Sequence, residues 1–160
     1  MGGLIGHDRA MTEALLAYAH FAAILMLVVF VTSEAALCRP EWMNAAVVRR
    51  LARLDMIYMI AAITVLATGL ARTYWGVKGV GWYWGQPLLH TKVTLFALIG
   101  LMSLKPTFAF IRWKRQLNAT GALPDEAEVR GIRRWIMAQA HLLLVLPLLG
   151  AFLARGIWVR

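Results

Sequence analysis

His20, His90 and His141 stand inside stretches of the chain that are otherwise almost wholly apolar. A neutral imidazole in such a place needs a hydrogen-bond partner or a metal ion. Glu13, His20 and Glu34 fall on a seven-residue ladder with Leu27 on the empty rung. Seven residues are nearly two helical turns, so these side chains share one face. Thr64, Thr68 and Arg72 repeat every four residues, with Gly69 beside them. The threonines are expected to bond back to their own helix, and Arg72 to reach a membrane surface. His90 and Lys92 are two residues apart, about 200° around a helix, so they face opposite ways. Lys105 is expected to answer Glu34 or Asp55, because an unpaired charge in a bilayer costs several kcal/mol.

The elements that hold these groups are four apolar stretches, roughly 12–37, 56–75, 87–111 and 135–157. Each is long enough to cross a hydrocarbon core of about 30 Å as a helix. The spacing and connecting lengths predict one all-α domain over 1–160, an antiparallel four-helix transmembrane bundle. The apolar fraction is 61%, the charged fraction 16% and the mean hydropathy +0.64. Soluble domains carry about 25% charged residues. The first stretch is longer than a signal-peptide core and lacks a basic segment before it, so it reads as a retained helix.

A net charge of +9 can mean nucleic acid, but here the basic residues flank the spans. Arg39, Arg49, Arg50 and Arg53 occupy the first connection, and Arg112, Lys114, Arg115, Arg130, Arg133 and Arg134 the third. This bias places both connections in the cytoplasm and both termini outside. Segment 41–54 reads as an amphipathic piece lying in the interface, with Trp42, Met43, Val47 and Leu51 in lipid. Pro124-Asp125-Glu126 reads as a helix start. The Trp- and Gly-rich stretch 75–86 is either an aromatic belt at the headgroups or a lid over a ligand. The lone Cys38 rules out an intrachain disulfide.

By helical rise, His20 lies about 12 Å inside the outer edge, and His90 about one turn inside it. The two can ligate one haem iron from opposite faces, with Arg72, Lys78 or Lys92 where propionates need cations. Alternatively each histidine bonds a neighbouring helix. His141 falls in the inner half of the membrane.

A first-helix histidine followed by a third helix opening Pro87-Leu88-Leu89-His90-Thr91-Lys92, after a Trp-rich loop, resembles the HemJ-type protoporphyrinogen oxidases. The chain departs from that family at Phe21-Ala22-Ala23-Ile24, where a Trp-Phe-Ala-Gly-type run is usual, and at His141, which has no obvious counterpart there. The resemblance implies a multi-pass protein of the bacterial inner membrane that oxidises protoporphyrinogen IX. It implies haem b on His20 and a functional cation at Lys92. A second resemblance covers 51–113. It rests on Leu54-Asp55, Thr68-Gly69-Leu70-Ala71-Arg72, Lys78-Gly79 and Ser103-Leu104-Lys105-Pro106-Thr107. These are similar to a family of uncharacterised, predicted four-helix bacterial membrane proteins.

The expected function is therefore a haem-b-binding membrane oxidoreductase. His20 and His90 are its metal ligands, Arg72 and Lys92 hold porphyrin carboxylates, and Lys92 acts in catalysis. Its partners are the lipid bilayer and a porphyrin, with a homo-oligomer or a larger membrane complex also open. The rival is a non-catalytic small subunit that docks on such a complex through the Trp-rich loop.

Overall fold

The structure is a computed structural model that describes residues 2–76 and 79–155, with side chains for 11–76, 79–153 and 155. Among the described residues every regular element is helical: α1 (Gly2–Leu37), a 3-10 turn (Pro40–Trp42), α2 (Ala45–Trp75), α3 (Val80–Trp84), α4 (Pro87–Thr120), α5 (Glu126–Leu143) and α6 (Val145–Ala154). Four segments are long and apolar enough to cross a membrane: Met11–Leu37, Ala45–Trp75, Pro87–Thr120 and Glu126–Leu153. Their apolar residues point outward as well as inward. Leu15, Leu25, Ile63, Leu101 and Phe108 are all more than half exposed, as a lipid-facing surface requires.

The helix boundaries follow local chemistry. Asp125 accepts from the Glu128 amide at 2.8 Å, so α5 starts where the Pro-Asp-Glu signal predicts. Pro87 opens α4, where its missing N–H costs nothing. Gly121 ends α4 at φ 73°, a left-handed conformation that glycine adopts without strain. Pro106 sits inside α4 and cannot bond the Met102 carbonyl one turn back. That carbonyl instead accepts from Trp135 Nε1 at 2.7 Å, so a neighbouring helix satisfies the group that the proline releases. The fourth span breaks at Leu144, three residues before Pro147.

Three rungs of the seven-residue ladder are buried, His20, Leu27 and Glu34 at 5%, 1% and 2% exposure, and Glu13 is half-buried. The interface piece is different from its expectation. Segment 45–54 is the first part of α2, and Val48 and Leu51 are fully buried in the protein core rather than in lipid. Trp42 is exposed, as expected of an interfacial residue. The reason is length. At 34 residues α4 is about 51 Å long, well beyond the hydrocarbon core. Its far end presents Phe110, Trp113 and Leu117. These join Cys38, Val48 and Leu51 with Val129, Ile132 and Ile136 of α5 in one cluster. The same cluster continues into the spans through Leu27, Tyr58, Ile99 and Leu143, so the basic end of the bundle shares the core of the membrane part. Burial and the adjacent Glu34 push the Cys38 thiol up to about 12, so it is an inert structural cysteine.

The Trp-rich stretch divides. Trp75 and Trp84 face outward. Trp82 and Tyr83 pack on Leu88, Leu89 and Leu153, capping the ends of α4 and α6.

Candidate functional site

His20 Nδ1 lies 2.9 Å from Thr68 Oγ1. That hydroxyl gives its single hydrogen to the Thr64 carbonyl, 2.6 Å away. It therefore accepts from the ring, Nδ1 is the donor, and the lone pair stands on Nε2. The Val65 carbonyl, one turn before Thr68 on α2, also accepts from the ring. Gly69 makes the seat: a Cβ there would come within 3.1 Å of His20 Cε1. Lys92 and Arg72 both lie within electrostatic reach of the ring. The Arg72 guanidinium is also 5.8 Å from the Phe21 ring centroid, a cation–π contact. Lys92 Nζ passes Gly150 of α6, 3.4 Å from where a Cβ would stand. The fold thus collects an imidazole from α1, a guanidinium from α2 and an ammonium from α4.

His90 is outside this group. It is exposed, and its Nε2 donates to the Trp84 carbonyl at 2.8 Å. The opposed directions of His90 and Lys92 follow from their spacing, and the structure turns Lys92 inward. His141 is also exposed, with Nδ1 donating to the Met137 carbonyl of its own helix at 2.6 Å. Lys78 lies outside the described residues. Thr64 and Thr68 do bond back along α2, to Ile60 and Thr64.

A second polar group lies at the other end of the ladder. Asp55 accepts from Thr107 Oγ1 at 2.8 Å, and Gln139 Nε2 donates to the Tyr58 hydroxyl at 2.5 Å. Glu34 and Asp55 both lie within electrostatic reach of Tyr58. Glu34 Oε1 and Gln139 Oε1 are buried without a hydrogen bond. Neither carboxylate forms an ion pair among the described residues. The expected partner, Lys105, is exposed and stacks its ammonium 4.6 Å from the Trp135 ring centroid. The Met102 carbonyl that Pro106 leaves open holds Trp135 beside that lysine, and a cation–π contact at the surface costs less desolvation than a buried pair. Tyr58 and Gln139 escaped the sequence reading. Gln139 was visible as the one amide in an apolar run.

Thr107→Val leaves Asp55 without its donor and is expected to cost about 1–3 kcal/mol. Lys105→Met is expected to cost about 1 kcal/mol or less. Denaturant unfolding in detergent measures both. A larger loss for Lys105→Met would restore the ion pair.

Among the described residues no three His, Cys, Asp or Glu side chains converge on a metal site. Metal binding at His20 therefore calls for a group that brings its own remaining ligands, as a porphyrin does. Of the groups that a porphyrin would need, the described residues supply one buried imidazole and two cations within electrostatic reach of it.

Fold and polar interior together define a multi-pass helical membrane protein. The family model described as a predicted membrane protein (DUF2214) matches residues 12–158, and the chain belongs to that family. No curated protein and no solved structure matches it.

Proposed function

We propose that this protein is a haem-b-binding oxidoreductase of the HemJ type in the bacterial inner membrane, acting on protoporphyrinogen IX or a related redox substrate. The observation that carries the reading is the buried His20 ring, held through Nδ1 to Thr68 with Arg72 and Lys92 within electrostatic reach. A locked tautomer is what a metal-ligating histidine needs. His20 would hold the iron, while Arg72 and Lys92 would orient carboxylates, Lys92 doing so for the reacting tetrapyrrole. A bound haem would supply one-electron chemistry, and the chain supplies ligation, orientation and exclusion of water. With Nε2 donating to the Trp84 carbonyl, His90 would join as a second ligand through Nδ1.

Visible spectra of the purified protein, oxidised and reduced, test the reading. A Soret band supports it. Narrow α and β bands on reduction would add His90 as the second ligand; a high-spin spectrum would leave His20 alone. If no porphyrin co-purifies and none binds on addition, the small-subunit reading leads. Its supporting feature is the outward Tyr74, Trp75 and Trp84, at 58%, 71% and 39% exposure.

The proposed topology is antiparallel, with both termini outside. His20 opposite Thr68, and Arg133 Nε donating to the Ala35 carbonyl, support the pairing of helix ends. The Lys/Arg bias supports the orientation. Cysteine at Asn118 is expected to label only from the cytoplasm, and cysteine at Val80 only from outside. Val80 is preferred to Gly79, whose φ of 79° disfavours a side chain. The buried Cys38 thiol gives no background. Reversed labelling would overturn the orientation.

A further inference from the structure

α1 and α5 do not close on each other along their whole length. Between them runs a groove of about 360 Å³. Arg39 and Arg133 stand at one end of it, and Val28, Leu143 and Leu144 at the other. Along α5 the lining runs from Arg133 to Leu143, 10 residues or about 15 Å at helical rise. The walls between are Val31, Thr32, Ala36, Met137 and Ala140, with His141 at the rim. Ala36, His141 and Leu144 are exposed, so the groove opens sideways to lipid.

The cations at its head are not neutralised. Neither Arg39 nor Arg133 forms an ion pair among the described residues. Arg39 Nε is buried with no hydrogen bond, its guanidinium lying 5.0 Å from the Trp42 ring centroid. Arg133 spends Nε on the Ala35 carbonyl and leaves its terminal nitrogens free of any bond among the described residues. Two guanidiniums at the membrane surface, above a narrow apolar slot open to the bilayer, match one kind of occupant. Its head is a phosphate and its tail an acyl chain.

We propose that this groove is a binding site for an anionic phospholipid, its phosphate held by Arg39 and Arg133 and one acyl chain lying between α1 and α5. A helix of a second copy would fill the slot but would leave the arginines unanswered. A soluble anion would answer the arginines but leave the slot empty. The site is separate from His20 and does not depend on what His20 binds.

Native mass spectrometry and thermal unfolding of the delipidated protein test this, with added phosphatidylglycerol, phosphatidylcholine or inorganic phosphate. Phosphatidylglycerol is expected to be retained and to raise the midpoint, and phosphatidylcholine to do so weakly. Arg39→Gln and Arg133→Gln should each weaken retention about fivefold. Arg39→Lys should keep most of it. Ala36→Phe, which fills the slot from an exposed position, should abolish retention with both arginines intact. If Arg133→Gln fails to fold, the Arg39 pair and Ala36→Phe decide. Equal effects of the two lipids, or retention that survives Ala36→Phe, would overturn the proposal. Stabilisation by inorganic phosphate alone would replace the lipid with a soluble anion, and a lipid-insensitive dimer with a second copy.

Discussion

His20→Ala is expected to strip most of the bound haem from the purified protein, seen as loss of the Soret band at unchanged protein yield. The expectation rests on geometry. His20 is a buried imidazole fixed to α2 through Nδ1, with a cation from α2 and another from α4 within electrostatic reach. Thr68→Val should act through His20. It removes the acceptor that fixes the tautomer while leaving the ring in place, so haem affinity should fall by about 10–100-fold rather than vanish. Gly69→Leu should approach the effect of His20→Ala, because even a Cβ at that position crowds Cε1. His141→Ala should change little, since that ring is exposed and tied to its own helix. A His20→Ala protein that kept its porphyrin would remove the proposed function. Loss of haem from His141→Ala instead would move the ligand to the opposite half of the bundle.

Trp113→Ala is expected to cost about 3–5 kcal/mol, the usual range for deleting a buried aromatic side chain. Trp113 is 1% exposed and meets Phe110 edge-on at 5.4 Å. Its Nε1 has no hydrogen-bond partner, so the loss is one of packing alone. It belongs to the cluster that ties α4 to the starts of α2 and α5. Unfolding in mixed detergent micelles reads the cost. A loss under about 1 kcal/mol would show that this end of the bundle is loosely packed and contributes little to the fold.

Both expectations separate what can be read along one helix from what needs two. The His20, Leu27 and Glu34 face was legible because a seven-residue repeat fixes direction on any helix. So were the starts of α4 and α5, which proline and an Asp cap determine locally. The opposition of His90 and Lys92 was legible for the same reason. Which of them faces inward was not, because that depends on how α4 is rotated against its neighbours, α6 with Gly150 beside the Lys92 ammonium among them. Lys105 was misassigned on the same ground. Charge and depth pointed to Glu34 and Asp55, while Trp135, held by the Met102 carbonyl that Pro106 leaves open, took the ammonium.

Segment 45–54 carries the same lesson for apolar residues. Arg49, Arg50 and Arg53 alternate with Val48 and Leu51, a pattern that fits a membrane surface and a protein core equally well. Only the length of α4 beyond the bilayer, and the arrival of α5 beside it, made a core there. By itself the sequence determined the four spans, the starts of α4 and α5 and the polar face of α1, since bilayer thickness and helical period act on each segment separately. The tertiary structure decided which polar groups meet: His20 with Thr68, Tyr58 with Gln139, Asp55 with Thr107. Partners come from different helices, and their meeting depends on offsets and rotations that no single segment encodes.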